Sequence, residues 1–287
     1  MPSLKSLRLR IKSVKNTRQI TKTMKMVAAA KVRRARGAVE AARPYAAKLA
    51  DVLGNLAGGS VGGPVLMAGR PDVRTVRLIV MGSDRGLCGG LNANILKLTH
   101  VWMAEQKALG RAVQVVTVGR KVRDGLKNVT TVNLVESLTD MGRTVEFAHA
   151  QTIADASLKA FESGVADEVY VLYSAMVSML TQQPTVRRII PFSVDVVETG
   201  AMKSTTDYEP NEEEVLAKLL PLNLNMQVFS ALLETQASEQ AARMTAMDSA
   251  TRNAGEMIKK LSLVYNRSRQ ATITKELIEI ISGAEAL

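Results

Sequence analysis

Apolar and small residues recur at heptad spacing through the first 57 residues, and this stripe constrains the fold more than any other feature. A helix over residues 4–57 would be about 80 Å long, so it needs a partner helix along its length. Pro44 should bend this helix or open it locally. The rows of the stripe are Leu7, Val14, Thr21, Ala28, Ala35, Ala42, Leu49 and Leu56, and Ile11, Met24, Val32, Val39, Ala46 and Leu53.

A second heptad pattern, over residues 211–282, supplies the candidate partner helix. This helix would be about 110 Å long if unbroken, although Pro221 should kink it or mark a short lead-in helix. Two long helices at opposite ends of one chain predict an antiparallel hairpin whose longer helix overhangs at its C-terminal tip. The rows are Val215, Leu222, Phe229, Met257, Val264, Ala271 and Ile278, and Leu219, Met226, Leu233, Met247, Ala254 and Leu261.

The middle of the chain alternates between buried strands and amphipathic helices, a pattern typical of the α/β class. It predicts a mostly parallel, Rossmann-like sheet covered by helices. The predicted strands are 76–81, 112–118, 129–135, 168–174 and an edge strand at 185–192, and the helices lie near 91–109, 120–127 and 144–163. The expected domains are an N-terminal coiled-coil helix (1–58), a linker (59–74), the α/β domain (75–198), a loop (199–210) and a C-terminal coiled-coil helix (211–287).

The formal net charge of +11 resides in the N-terminal helix. Residues 1–58 hold 14 Lys or Arg and two acidic residues, a net charge of +12, whereas the rest of the chain carries −1. A mitochondrial transit peptide also begins Arg-rich and acid-poor, but here the helical phase continues for about fifty residues without a break for cleavage. A DNA-binding basic zipper separates its basic region from its heptads, whereas these overlap. A solvated helix surface or one that faces an acidic protein accounts better for the charge.

The sequence has few candidate residues for catalysis or for binding a nucleotide. The turn after the first predicted strand reads G-S-D-R-G-L-C-G-G and has neither dinucleotide nor P-loop spacing. Its Cys88 could be a nucleophile assisted by Asp84 and Arg85, but a small buried thiol, with Asp84 as a cap or turn residue, is the interpretation we favour. His100 and His149 lie on predicted helices without a role as a base. No apolar run approaches the roughly 20 residues that cross a bilayer, so any membrane association should be peripheral.

Three sequence blocks are together highly specific. The first is I-K-S-V-K-N-T-R-Q-I-T-K-T-M-K-M-V-A-A-A-K at Ile11–Lys31, and the second is S-D-R-G-L-C-G-G-L-N at Ser83–Asn92. The third is S-E-Q-A-A-R-M-T-A-M at Ser238–Met247, followed by R-Q-A-T-I-T-K-E-L-I-E-I-I-S-G-A at Arg269–Ala284. In content and order these blocks resemble the gamma subunits of F-type ATP synthases.

The resemblance implies a rotor shaft: an antiparallel coiled coil with a Rossmann-like domain beside its base. In such proteins the coiled coil lies inside a hexameric ring of alpha and beta subunits, and its foot rests with an epsilon subunit on a membrane c-ring. Proton flow turns the foot, and the shaft drives the catalytic sites through their conformations. The chain itself is expected to have no catalytic residue, cofactor or metal, because ATP, ADP and magnesium bind the ring. The expected location is the cytoplasmic face of a bacterial inner membrane, with the mitochondrial inner membrane as the alternative.

The resemblance also implies contacts for individual residues. Arg269, Gln270 and Thr274 match family residues that hydrogen-bond a loop of a catalytic subunit. Met24 matches a methionine near an acidic lever segment of the catalytic subunits. Lys25 departs from relatives that carry glutamate there, which alters the charge at that contact.

Two further surfaces are expected to meet the ring. The basic side chains of the N-terminal helix, with Arg33, Arg34 and Arg36 as the test set, should face the acidic levers. The overhanging C-terminal tip is apolar enough to sit in a hydrophobic sleeve, where few directional bonds would hinder turning. Its residues are Ile278, Ile280, Ile281, Ala284 and Leu287. Core packing inside the hairpin is the competing explanation for part of this apolar stripe.

Overall fold

Six helices and five strands make up the part of the chain that the structure describes. The computed structural model covers residues 3–57, 65–130, 132–141, 144–192 and 211–285. Its elements are α1 (Leu4–Ala57), α2 (Val65–Ala68), β1 (Thr75–Met81), α3 (Leu91–Ala108), β2 (Ala112–Val118), α4 (Arg120–Leu126), β3 (Asn133–Leu138), α5 (Phe147–Glu162), β4 (Glu168–Met176), β5 (Gln182–Ile190) and α6 (Glu212–Glu285). The predicted loop 199–210 and the first part of the predicted linker lie outside the described residues.

Both terminal segments form single long helices. Helix α1 contains 54 residues and α6 contains 74. Each continues through its proline, Pro44 in α1 and Pro221 in α6, so the prediction of a separate lead-in helix before Pro221 is wrong. By length and composition α6 could also cross a membrane, since one 18-residue window within Glu214–Ser282 has a mean hydropathy of 1.3. Because 44% of that window is buried inside the protein, this is weak support for a membrane span.

The strands form one mixed sheet in the order β3-β2-β1-β4-β5. Strands β1 to β4 run parallel, and β5 pairs antiparallel with β4 at one edge, which confirms the predicted α/β class. The third strand begins at Asn133, four residues later than predicted. Before it, the Val132 N–H donates to the carbonyl of Val129 in a turn, so the apolar residues there are not part of a ladder.

Side chains cover both faces of the sheet. One face packs on α3 and α4 around Val76, Leu78 and Ile95, and the Trp102 ring lies 5.0 Å from the Tyr170 ring there. The other face packs on α5 and on the sheet-proximal parts of α1 and α6. The buried residues that these two long helices contribute include Leu49, Leu53, Leu56, Leu216, Leu220, Leu224 and Val228.

The chain divides into two compact units whose boundaries cut across both long helices. The hairpin unit consists of the described residues of 1–29 and 243–287, and the sheet unit of those of 30–242. The domains proposed from the sequence instead place their boundaries at the helix ends.

A nearly buried carboxylate, Asp167, fixes the start of the sheet. One of its oxygens accepts hydrogen bonds from the backbone N–H groups of Arg74 (2.9 Å) and Thr75 (2.8 Å), and the other faces Arg70 at 3.4 Å. Burial alone would raise the pKa of Asp167, but the two N–H groups and Arg70 outweigh it and hold the pKa below its ordinary value. The ionised carboxylate therefore holds the beginning of β1.

We expect Asp167→Asn to destabilise the sheet unit by about 1–3 kcal/mol at neutral pH, because the charged acceptor is lost. Since the folded pKa is lowered, the wild-type carboxylate stabilises above its unfolded pKa and loses this effect as pH falls through the folded pKa. The difference between variant and wild type should therefore shrink below about pH 4. Urea unfolding followed by the fluorescence of Trp102, the single tryptophan, measures it across about pH 3–7.

Asp72→Asn is the matched control. Asp72 lies shortly before β1, but its ion pair with Arg74 is exposed, so its removal should change stability by less than about 1 kcal/mol. Equal losses in the two variants, or a loss for Asp167→Asn that does not depend on pH, would contradict the assigned role of this carboxylate.

Candidate functional site

In the hairpin unit the two long helices run antiparallel in one register. Arg8 donates a hydrogen bond of 2.8 Å to the Tyr265 hydroxyl, and Lys25 Nζ lies 2.6 Å from the Asp248 carboxylate. The residue numbers of each pair add to 273, as they must when two antiparallel helices keep a constant register. The predicted antiparallel hairpin is therefore present in this unit.

Helix α6 extends well past the start of α1. In this register Leu4 is level with Arg269, so residues 270–285 of α6 lie beyond the first turn of α1. At 1.5 Å per residue this overhang is about 24 Å long. Three side chains at or next to the start of the overhang were predicted to contact a catalytic subunit, and all of them are exposed: Arg269, Gln270 and Thr274.

The overhang carries an exposed apolar surface, which we call the tip surface. It consists of Ile273, Leu277, Ile278, Ile280 and Ile281. Ile280 is 72% exposed, and the others are exposed by at least half. Among the predicted tip residues, Ile278, Ile280 and Ile281 belong to this surface, whereas Ala284 and Leu287 lie outside the residues whose side chains are described. A contiguous apolar patch of this kind marks a surface for contact with another molecule.

The predicted contact residues of α1 have two kinds of environment. In the hairpin unit Met24 and Lys25 are half-buried, and Lys25 is bound to Asp248. In the sheet unit the side chains of Arg33, Arg34 and Arg36 are exposed, and Arg36 pairs with Glu40 one turn later at 2.8 Å. The basic surface is thus accessible to an acidic partner, whereas the charge of Lys25 already has an acidic partner within the chain.

The heptad rows predicted for the helices need correction in the hairpin unit. On α1 the row that contains Ile11 and Val32 passes through Arg18 and Lys25 rather than Met24. On α6 the predicted row of Met257, Val264, Ala271 and Ile278 is wrong, because all four are exposed. The row that faces α1 lies one residue further on and consists of Thr251, Ile258, Tyr265 and Thr272. The sequence pattern failed there because these seam positions include polar residues.

In the sheet unit, hydrogen bonds within the chain hold the glycine-rich turn after β1. Asn92 accepts the Ser83 N–H (3.1 Å) and donates to the Ser83 hydroxyl (2.8 Å) and to the Cys88 sulfur (3.2 Å). Leu87 has a positive φ of 64°, and Cys88 is 2% exposed. This geometry fits the interpretation of a buried thiol in a tight turn rather than that of an accessible nucleophile.

The remaining candidate residues for chemistry hold backbone groups. Asp84 accepts the N–H of Arg120, the first residue of α4, at 2.9 Å. His149 Nδ1 accepts the N–H of Glu146 in a capping box at the start of α5. No three His, Cys, Asp or Glu side chains are grouped as a metal site would require within the described part of the chain.

These features define a class of protein: a long helical hairpin with an attached doubly wound α/β domain, whose prominent exposed surfaces are basic or apolar. Structural neighbours share this fold. A chain of the Euglena gracilis mitochondrial ATP synthase (OSCP/F1/c-ring) matches with a TM-score of 0.68 at 18% identity, covering 99% of this chain and 94% of that one. A chain of the Tetrahymena thermophila mitochondrial ATP synthase central stalk/c-ring has a TM-score of 0.60 at 23% identity, covering 80% and 99%.

Sequence relatives narrow the class to one family. The family model described as ATP synthase matches residues 3–287. The ATP synthase gamma chains of Fuscovulum blasticum and Paracoccus denitrificans are 52% and 53% identical, each over the full length of both chains. The chain belongs to the ATP synthase gamma chain family.

We expect Asn92→Ala to expose Cys88. The substitution removes both the acceptor of the Ser83 N–H and the donor to the sulfur, at a cost of about 1–2 kcal/mol to the closed turn. Labelling of Cys88, the only cysteine, by a maleimide should become about tenfold faster. Asn94→Ala, which removes an exposed amide from the same helix, should leave the rate unchanged. Equal rates in both variants would show that Asn92 does not hold the turn.

Proposed function

We propose that this chain is the central rotor shaft of an F-type ATP synthase, coupling proton-driven rotation of a membrane c-ring to the conformational cycle of the catalytic subunits. Its proposed partners are the alpha and beta subunits of the hexameric ring, an epsilon subunit and the c-ring. The observation that carries the proposal is the overhang of α6 with its exposed tip surface. A shaft that turns inside a ring needs such an end, because apolar contact is non-directional and opposes rotation less than fixed hydrogen bonds do.

The proposed role is mechanical, and the chain has no active site of its own. In the proposed complex ATP, ADP and magnesium bind the partner ring, and this chain needs no cofactor. Two observations support this: the Cys88 thiol is buried, and Asp84 is engaged by backbone N–H groups. The proposed location is the cytoplasmic face of a bacterial inner membrane, held there through the complex, with the mitochondrial inner membrane as the alternative.

An asymmetric shaft can control a symmetric ring because it meets each catalytic subunit with a different side. A ligand or partner shifts a conformational equilibrium only through its differential contacts with the two states. One side of α1 offers Arg33, Arg34 and Arg36 to an acidic lever, and Met24 lies earlier on the same helix. Near the tip, Arg269, Gln270 and Thr274 are proposed to bind a loop of one catalytic subunit.

The direct test is ATP hydrolysis by a catalytic ring of alpha and beta subunits from the same organism, with and without this chain. We expect stable incorporation and strongly raised, cooperative turnover, because the shaft makes the three catalytic sites alternate. The chain alone should show no hydrolysis. If the chain neither associates with the ring nor changes its turnover, the shaft proposal fails.

A second test concerns the basic surface. Reversing the charges of Arg33, Arg34 and Arg36 to glutamate should weaken assembly or lower ATP-driven proton pumping, because the acidic levers would then meet like charge. The loss should be greatest at low salt, where screening is weakest. Pumping by the reconstituted complex at two ionic strengths is the measurement.

The control for that test makes the same change in net charge elsewhere in the sheet unit, at exposed lysines of α3 and α5. These are Lys97, Lys107 and Lys159. If the control variant loses as much pumping as the arginine variant, the loss reflects net charge. Unchanged pumping in the arginine variant would exclude the proposed contact with the levers.

A further inference from the structure

Three consecutive positions in the α1 seam of the hairpin unit are polar. Arg18, Thr21 and Lys25 occupy the seam between the apolar positions Val14 and Ala28. Apolar side chains at these positions would give a more stable hairpin. In two-helix coiled coils a polar residue in the seam lowers stability but specifies which register the helices adopt.

The α6 residues opposite this segment match it in position and size. Thr251 donates a hydrogen bond of 2.8 Å to the hydroxyl of Thr21, which is 9% exposed. The guanidinium of Arg18 lies against Gly255, where an added Cβ would be 3.7 Å from Arg18 Nε. A hydroxyl thus meets a hydroxyl, and the largest side chain of the segment meets a residue that has none.

The ion pair of Lys25 and Asp248 completes the segment. Their charged atoms are 2.6 Å apart, and both side chains are partly shielded from water. The hydrogen bond from Lys25 lowers the pKa of Asp248, which favours the ionised carboxylate. The lysine at this seam position therefore has an acidic partner on the other helix of its own hairpin.

The apolar layers near the start of α1 would tolerate a slip by one heptad. In the observed register Leu7 lies within one residue of the level of Tyr265, and Ile11 within one residue of the level of Leu261. A shift of α6 by one heptad would bring Leu7 to within one residue of the level of Ile258, so apolar side chains would still face apolar side chains. The same shift would separate both of the polar pairs described above.

We propose that the polar segment, formed by Arg18, Thr21 and Lys25 with the α6 residues opposite them, sets the axial register of the hairpin unit. It thereby determines how far the tip surface projects beyond α1. A slip of one heptad would move the tip by about 10 Å. The consequence for coupling rests on the proposed shaft function, because only a tip seated in a ring is affected by such a displacement; the register itself is a property of this chain.

The test measures register directly in the purified full-length chain. In a Cys88→Ala background, spin labels on cysteines at Leu9 and Val264 report residues that are level in the observed register. Labels at Leu9 and Met257 report residues that would be level after a slip of one heptad. All three native side chains are exposed. In the otherwise unsubstituted chain the first pair should give the shorter distance by double electron–electron resonance.

Lys25→Glu should change this order. The introduced carboxylate would repel Asp248 in the observed register, whereas a slip of one heptad would bring Asp248 level with Arg18. We expect a population in which the 9–257 distance becomes the shorter one. The charge swap Lys25→Glu with Asp248→Lys should restore the original distances, because the slip would now place two positive charges together.

Two further variants keep the proposal testable if Lys25→Glu unfolds the hairpin. Replacing Arg18, Thr21 and Lys25 together by leucine should raise the melting temperature and yet give more than one distance population. Lys12→Glu changes the charge of an exposed α1 residue by the same amount and should leave both distances unchanged. A single, unaltered register in both the Lys25→Glu and the leucine variants would overturn the proposal.

Proton pumping separates this proposal from the shaft function. In the reconstituted complex Lys25→Glu should lower ATP-driven pumping, and the charge swap should recover it. If the distances respond but the chain has no effect on the ring, the register proposal stands and the shaft function fails. If the chain drives the ring but no variant alters the distances, the register proposal alone fails.

Discussion

The pairing of α1 with α6 is the interaction on which the other features depend, because neither helix can bury its apolar stripe alone. Small residues in the α1 stripe make the pairing close, and Ala28 and Ala35 are buried to within a few per cent of completeness. In the sheet unit the same helices also cover one face of the sheet through Leu53 and Leu220. The two helices thus contribute to both units: they form the hairpin of one and supply part of the buried core of the other.

The length and direction of the two long helices could be predicted from the sequence because heptad spacing persists over many turns. The residues by which α1 and α6 face each other could not all be predicted. Lys25 and Thr251 occupy two of the seam positions. An apolar pattern instead selects Met24, next to Lys25, and the heptad row that contains Met257, next to the row of Thr251. An apolar residue and a partnered polar residue can both be buried, and the partner of Lys25 lies 223 positions away. Met26, Val27, Met257 and Val264, which lie outside the seam, are exposed.

The sheet was predictable where strands are buried on both faces, since Val76–Met81 is a nearly continuous apolar run. Strand β3 was less predictable, because only Leu134 and Leu138 are half-buried and its remaining side chains are exposed. Weak burial leaves little pattern to locate the ends of such an edge strand. The glycine-rich turn shows the same limit: its spacing favours a buried thiol at Cys88, but the role of Asn92 depends on how the turn folds back on α3.

The topology of the sheet is one that elsewhere binds nucleotides at the carboxyl ends of its strands, with a phosphate at a helix N-terminus. In this chain the side-chain carboxylate of Asp84 lies at the N-terminus of α4, where a bound phosphate would lie in such proteins. Asp84 accepts the N–H of Arg120 at the beginning of the helix and the N–H of Asp140 after β3, so a negative charge is already supplied at the strand ends. The ends of β1 and β2 also lie close together, because a Cβ at Gly119 would be only 2.6 Å from the carbonyl oxygen of Gly82. This close approach leaves little space for a ligand between them. Because the chain's own groups bind the strand ends, this α/β domain is suited to a structural role. Its sheet provides a rigid surface on which the helices pack.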